Sequence, residues 1–164
     1  MRITILATGQ IKASEESRLF DTYHQRAIAN GRNIGISTID IIENKGRKGV
    51  SGDQRARDDR SDIQKSMDKI RHDDPACQFI LLDERGDNLS SELFAKRLED
   101  WQAHHHICFV LGGADGFDDV MRQNAHALIS LGKMSWPHLL ARVLLMEQIW
   151  RGISILTNHP YHRA

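Results

Sequence analysis

The sequence contains few of the features that mark secreted, membrane or metal-binding proteins. Its 164 residues include 2 cysteines and 3 prolines. Cys77 and Cys108 lie within apolar runs and have no CxxC spacing, which favours buried, reduced thiols over a disulfide or a zinc site. The opening MRITILATGQ has an apolar stretch too short for a signal peptide or a membrane span. We therefore expect a cytoplasmic protein with no membrane partner.

The charge balance excludes a general attraction to polyanions. The 22 Lys and Arg residues equal the 22 Asp and Glu residues, so the formal net charge is zero. Contacts with nucleic acid must then come from local patches. One candidate patch is the segment NKGRKG, with Lys45, Arg47 and Lys48, for which a solvated basic loop without a ligand is the alternative.

Histidine is frequent, and the run HHH occupies His104 to His106. The side chains of consecutive residues point in different directions. The run is also not accompanied by a pair of histidines spaced four residues apart with a carboxylate, so we predict no metal site. The GxSxG pattern of a serine nucleophile is absent, and no pattern singles out a cysteine nucleophile.

Short apolar runs alternate with amphipathic stretches along the whole chain. This rhythm predicts one α/β domain over residues 1–164, with a parallel sheet of about five strands flanked by helices. The expected strands are 2–8, 35–42, 77–83, 107–113 and 128–131. The expected helices are 15–31, 53–70, 90–101, 118–127 and a last one that begins near Pro137.

The last predicted helix is apolar around most of its circumference, which requires cover on two sides. The sheet can provide one side. The other can come from a partner subunit or from the same chain, and the sequence leaves both open.

Three turns follow predicted strands, at the edge of a parallel sheet where ligands bind. In LLDERGD, Asp83 can bind a ribose hydroxyl or anchor the loop. In VLGGADGF, the glycines allow backbone to approach a ligand, or they serve only a tight turn. Their GGxxG spacing, without an acidic residue after the next strand, argues against NAD(P). In LGKMSWPH, Met134 and Trp136 can cover an adenine ring or belong to the core.

The chain ends in TNHPYHRA, although chain ends usually fray unless they are held. We expect an ordered segment beside the ligand site that presents Tyr161, His162 and Arg163 to a target. Deletion of Pro160 to Ala164 is then expected to abolish activity and leave the fold intact.

Together, LLD, LGGADGF, LGKMSWPH and TNHPYHR resemble the ribosomal RNA large-subunit methyltransferase H family of the SPOUT class, and the resemblance spans the whole chain. It implies a Rossmann-like N-terminal half and a C-terminal half tied in a deep trefoil knot. It also implies a homodimer that uses S-adenosylmethionine to methylate N3 of a pseudouridine in the helix 69 loop of 23S rRNA, on the assembled ribosome. A SPOUT enzyme acting on tRNA and a non-catalytic ribosome-associated protein are the alternatives.

The resemblance also implies where the methyl donor binds. Carried over by position, the donor site comprises Leu82, Gly113, Gly132, Lys133, Met134, Ser135, Trp136 and Pro137. The chain departs from many relatives at Ala114, where they have proline, and at Gly132 to Met134. The inferred contacts are through backbone, so these departures affect the shape of the loops more than binding.

Methyl transfer to an imide nitrogen requires the loss of a proton, so a base is expected to help. His138, His159 and His162 are candidates, because they lie near the donor loop and the tail in sequence.

The residues expected to contact RNA are Arg142, Tyr161, His162 and Arg163, with Lys45, Arg47 and Lys48. For Arg142, the donor carboxylate or an ordinary helix salt bridge is an alternative partner. With zero net charge, we expect poor activity on naked rRNA.

Overall fold

A computed structural model of the protein describes residues 1–45, 52–113 and 116–162. Five parallel strands form one sheet in the order β2-β1-β4-β3-β5. The strands are β1 (Arg2–Thr8), β2 (Thr38–Asn44), β3 (Gln78–Asn88), β4 (His106–Leu111) and β5 (Ala127–Ser130). The α-helices are α1 (Glu15–Gly31), α2 (Asp53–Asp73), α3 (Ser91–Trp101), α4 (Asp119–Gln123) and α5 (His138–Leu156). The predicted α/β class and the parallel sheet are confirmed.

Alternate side chains of the central strands feed two cores on opposite faces of the sheet. Ile3, Ile5 and Phe109 face a core that includes residues of α1, α3 and α5. Leu6 and Val110 face the other core, with residues of α2 and α4. Strands covered on both faces are apolar along their length, which is why the sequence predicted them well.

Helix α5 receives its second cover from its own chain. It packs against the sheet and also against α1 and α3. Residues Leu139, Leu140 and Leu144 remain partly exposed. The expectation that this helix needs cover on two sides is therefore met largely within one subunit.

Two of the differences between the predicted and the observed element boundaries have local reasons. Strand β2 begins at Thr38 rather than Gly35, because Gly35 ends a 3₁₀ turn with a left-handed φ of 79°. Helix α4 ends at Gln123, not near Ala127, because Ala127 pairs with Ile80 as the first residue of β5.

Strand β3 pairs with β5 twice. Leu82 is opposite Ile129, the chain then bulges outward, and Asp87 returns opposite the same Ile129. In the bulge, Gly86 lies directly on the backbone of β5: a Cβ at this position would be 2.5 Å from the Ile129 nitrogen and 2.6 Å from the Leu128 carbonyl carbon. Residue 86 must therefore lack a side chain for the bulge to close.

Replacement of Gly86 by alanine should destabilise the fold by about 3 kcal/mol, the upper range for overpacking, because the clash is with backbone and not with a movable side chain. Urea unfolding of Gly86→Ala measures this loss. Gly152→Ala is the matched control: its Cβ would meet Leu98 and Phe94 at 3.4 Å, an ordinary contact. The control should stay within about 1 kcal/mol of the parent. Equal stability of the two variants would contradict the close packing at Gly86.

The three consecutive histidines have separate surroundings. His104 packs edge-on against His126, with ring centroids 4.8 Å apart, and His105 has a positive φ of 59°. His106 is buried: its Nε2 lies 3.0 Å from Thr4 Oγ1 and its Nδ1 lies 2.8 Å from Asp74 Oδ2. Within the three described ranges, no group of three or more His, Cys, Asp or Glu side chains converges on a metal position.

The two cysteines are free and buried, as predicted. Burial raises the pKa of Cys77 to about 12, so its thiol is protonated and unreactive at neutral pH. Among the described residues, no helix has the length and apolar character needed to cross a membrane.

The burial of His106 predicts a loss of stability in acid. Burial lowers the pKa of His106 below its usual 6.5, and the nearby Arg2 adds to this effect. As the pH falls below about 6.5, the unfolded chain takes up the proton first, and the free energy of unfolding decreases until the folded-state pKa is reached. Urea unfolding at pH 7.5 and pH 5 should therefore show a larger acid-induced loss for the parent than for His106→Gln. The same loss in both proteins would assign the pH dependence to other groups.

Candidate functional site

A cleft of about 470 Å³ opens at the carboxyl edge of the sheet. Its volume is within the range of about 300–1,000 Å³ typical of small-molecule sites. All eight residues expected to bind the donor line this one cleft: Leu82, Gly113, Gly132, Lys133, Met134, Ser135, Trp136 and Pro137. The other lining residues are Asp83, Glu84, Leu111, Gly112, Ser130, Leu131, His138 and Ala141. The fold thus brings together three turns that are distant in sequence.

The GG turn follows β4 and rests on α2. The carboxylate of Asp59, on α2, occupies the space beside Gly113, where an added Cβ would be 2.8 Å from Asp59 Oδ2. The Asp59 side chain is only 9% exposed, and Arg55 Nε lies 3.8 Å from its Oδ2. Gly113 therefore allows the wall of the cleft and a buried carboxylate to lie in contact.

The sequence reasoning did not identify Asp59, although the sequence contains a signal for it. Asp59 falls at helical spacing within the apolar stripe of α2, between Ala56 and Ile63, and all three residues are buried. A carboxylate on a buried stripe is uncommon unless it is paired or has a function.

The turn at the bulge of β3, after Leu82, is held by Asp83. Its Oδ1 accepts a hydrogen bond from the Arg85 backbone N–H at 2.9 Å, and its Oδ2 accepts one from Arg122 Nε at 2.8 Å. With a side chain only 2% exposed, Asp83 acts here as a loop anchor, the second of the two expected roles. Glu84, the next residue, is exposed and lines the cleft.

The loop between β5 and α5 forms the third side of the cleft. Met134 is 73% exposed and Trp136 is 40% exposed, so the structure contradicts the alternative that both belong to the core. Trp136 is oriented by a hydrogen bond from its Nε1 to the Leu131 carbonyl oxygen at 3.1 Å. Two apolar side chains are thus available to cover a ligand.

His138, the first residue of α5, lines the cleft and contacts the end of β1. Its Nε2 is hydrogen-bonded to the Thr8 carbonyl oxygen. Burial lowers the pKa of His138, and the positive charge of Arg142 lowers it further, while the Thr8 carbonyl and Asp59 act in the opposite direction. The imidazole is therefore neutral at pH 7.

The structure corrects the prediction that Arg142 contacts RNA. The Arg142 side chain is 1% exposed, and its Nη1 donates to Glu43 Oε1 at 2.8 Å. Its Nη2 donates to the carbonyl oxygens of Thr8 and of Gly9, the latter at 2.6 Å. A guanidinium buried in this way cannot reach a phosphate. Its salt bridge is not an ordinary one within the helix but a link from α5 to β2, with the carbonyls at the end of β1 as further acceptors.

The described part of the chain end makes specific contacts with its own chain. Helix α5 stops in a Schellman motif: the Asn158 N–H donates to the Ile155 carbonyl at 3.2 Å and the His159 N–H to the Ser154 carbonyl at 2.8 Å. Asn158 adopts the left-handed conformation, with φ 52°, that this motif requires. The tail is thereby turned back along α5.

Tyr161 and His162 contact the helices of their own chain and do not line the cleft. The Tyr161 hydroxyl donates to Glu147 Oε1 at 2.9 Å, and its ring packs against Trp150 and under the Arg151 guanidinium. His162 Nε2 lies 3.3 Å from Glu92 Oε1 at the start of α3. In this arrangement Tyr161 has little ring surface left for stacking on a base.

Of the three histidines considered as bases, His138 alone lines the cleft. His159 accepts a hydrogen bond from the Tyr161 N–H at Nδ1, 3.1 Å away, and packs on Trp150, so its role in the structure is to shape the tail. Of the basic residues expected to contact RNA, Lys45 is exposed just beyond β2. Arg47, Lys48 and Arg163 lie outside the described residues.

A family model described as a predicted SPOUT methyltransferase matches residues 1–162. The chain belongs to this family. It is 35% identical over 166 residues to a protein of Rhizobium meliloti and 38% identical over 167 residues to one of Rhodopseudomonas palustris. Both are named ribosomal RNA large subunit methyltransferase H, and each match covers 100% of both chains.

The fold of this SPOUT family member also resembles a solved structure, that of a probable methylase family protein from Haemophilus influenzae. The TM-score is 0.53 at 15% identity, and the match covers 95% of this chain and 66% of the other. At this identity the similarity supports the fold alone.

The contacts of Tyr161 change the expectation for removal of the tail. Truncation should weaken the fold as well as any activity, because Tyr161 packs on Trp150 and bonds to Glu147. Tyr161→Ala should lose about 1–2 kcal/mol of unfolding free energy in urea. Pro160→Ala, at an exposed position, is the matched control and should lose less than about 0.5 kcal/mol. Parent-like stability of Tyr161→Ala would show that the tail is not docked in solution.

Proposed function

We propose that the protein transfers the methyl group of S-adenosylmethionine to N3 of a pseudouridine in the helix 69 loop of 23S rRNA, on the assembled ribosome. The observation that carries this proposal is the convergence of the three turns, at Leu82, Gly113 and 132–137, on one cleft. Membership of a methyltransferase family and the names of the full-length relatives support it.

The residues present fit the donor. The cleft is walled by the GG turn and by the loop at 132–137, so backbone amides and carbonyls are available to bind an adenine edge and a ribose. Leu82, Leu111 and Ala141 add apolar surface. The exposed Met134 and Trp136 can close over the ring. The donor supplies an already activated methyl group, so the protein needs no nucleophile of its own.

The substrate is proposed to be the ribosome because the chain has no excess positive charge. With 22 basic and 22 acidic residues, one subunit gains little from counterion release on free RNA. Ribosomal protein surfaces and a folded rRNA loop can supply contacts that naked RNA lacks. Lys45, exposed just after the carboxyl end of β2, is one described basic residue available for such contacts.

We further propose that the protein is a cytoplasmic homodimer whose C-terminal half forms the trefoil knot. The partly exposed Leu139, Leu140 and Leu144 on α5 support a subunit interface. The knot is proposed from membership of the SPOUT family. A monomeric sedimentation profile at micromolar concentration would reject the dimer.

Two measurements test the proposed function. Calorimetry with S-adenosylmethionine should show one binding site per chain. If no binding is detected up to sub-millimolar donor, the proposed enzymatic function is wrong. Ribosomes from a strain that lacks the gene should gain one methyl group on helix 69, located by mass spectrometry of 23S rRNA fragments. Protein-free 23S rRNA should react far less. Methylation of tRNA in place of rRNA, or at another rRNA site, would overturn the substrate proposed here.

A further inference from the structure

The contacts of His138 fix which of its ring nitrogens carries the proton. Nε2 bonds to the carbonyl oxygen of Thr8. A carbonyl oxygen only accepts, and the two hydrogens of Arg142 Nη2, which lies 3.0 Å from Nε2, are directed to the carbonyls of Thr8 and Gly9. In the neutral ring Nε2 therefore holds the hydrogen and Nδ1 holds a free lone pair. The neutral form of this tautomer is a base at Nδ1.

The surroundings prevent the ring from turning over. Arg142 donates to the same Thr8 oxygen and to Gly9 O, and its Nη2 lies 3.0 Å from His138 Nε2. Arg142 is in turn held by Glu43 at 2.8 Å. A flipped ring would place the carbon Cε1 in the position of Nε2, and the hydrogen bond to the Thr8 carbonyl would be lost.

The other ring nitrogen is open to the cleft. Among the described residues, Nδ1 of His138 has no hydrogen-bond partner, and it is also absent from the polar atoms that are buried without one. The ring lines the same cleft as Gly113 and the 132–137 loop. The lone pair is therefore accessible from the space in which the donor and the target base would meet.

We propose that His138 is the general base of the reaction and that Arg142 and Glu43 are positioning residues that hold its Nε2–H tautomer. This proposal rests on the proposed function. The N3–H bond breaks and its proton passes to Nδ1 as N3 bonds to the methyl carbon. The electron pair of the broken carbon–sulfur bond stays on sulfur, which leaves a neutral thioether and an imidazolium.

The charged groups around His138 agree with this role. Arg142 from α5 and Arg55 from α2 disfavour a charged ring before the reaction, and burial acts in the same direction. Asp59 from α2 favours the imidazolium that forms during proton transfer. Glu43 from β2 faces Arg142, and the carbonyls of Thr8 and Gly9 are the contacts from β1. The base is therefore kept neutral and is charged only when it receives the proton.

The Nε2–H tautomer of His138 can be tested on the free protein, without measuring methyl transfer. Nitrogen-15 NMR of the free protein at pH 7.5, assigned with His138→Gln, should show protonated Nε2 and unprotonated Nδ1, and the ring should titrate below pH 6.5. The same titration in Asp59→Asn should move to lower pH, because a favourable negative neighbour is removed. An Nδ1–H tautomer, or a ring still protonated at pH 7.5, would overturn the proposal.

The catalytic role is tested by single-turnover methylation of unmodified ribosomes between pH 5 and pH 8. His138→Gln can still donate to the Thr8 carbonyl but has no basic nitrogen, and it should lose about 10²–10⁴-fold in rate with unchanged donor affinity. The parent rate should rise with pH below 6.5 and then level off. The variant rate should continue to rise with hydroxide. Added imidazole should restore part of the activity of His138→Ala.

His104→Ala, which alters a histidine at the opposite end of the sheet, is the matched control and should behave as the parent. If the parent and this control methylate ribosomes but His138→Gln equals them in rate and pH profile, the assignment of His138 is wrong. If the parent itself transfers no methyl group, the proposed function fails instead, and the two failures are thereby distinguished.

Discussion

The guanidinium of Arg142 fixes helix α5 against the ends of strands β1 and β2. From α5 it reaches Glu43 at the end of β2 and the carbonyls of Thr8 and Gly9 at the end of β1. A charge this deeply buried is tolerated because its hydrogen bonds are made to a carboxylate and to backbone oxygens. Loss of either charged partner would leave the other uncompensated, at about 3–5 kcal/mol.

This linkage explains how a loop-built site can be well positioned. The donor residues come from three turns, and turns are usually the most variable parts of a fold. Here each turn is fixed by a contact with a regular element. Asp83 holds the first by a hydrogen bond from Arg122, Gly113 packs the second against Asp59, and His138 holds the third by a hydrogen bond to Thr8. The backbone that lines the cleft is therefore held by side chains behind it.

The sequence predicted the strands and the three turns well because their signals are local. Apolar runs such as CQFILLD identify buried strands, and glycines after them identify turns. The second pairing of β3 with β5 has no local signal, since ERGDN resembles an ordinary polar loop. The burial of Arg142 was missed for a similar reason: an arginine on a helix is normally exposed, and its partners Glu43 and Thr8 are distant in sequence. The folding back of Tyr161 also depends on remote partners, on α5.

The contact between Gly113 and Asp59 has a consequence for how the sequence can vary. A side chain at position 113 and the carboxylate at position 59 compete for the same volume, because the missing Cβ and Oδ2 would be 2.8 Å apart. A larger residue at 113 is tolerated only if position 59 becomes smaller or α2 shifts. In a mutational library, positions 113 and 59 should therefore covary, although position 113 belongs to the GG turn and position 59 belongs to helix α2.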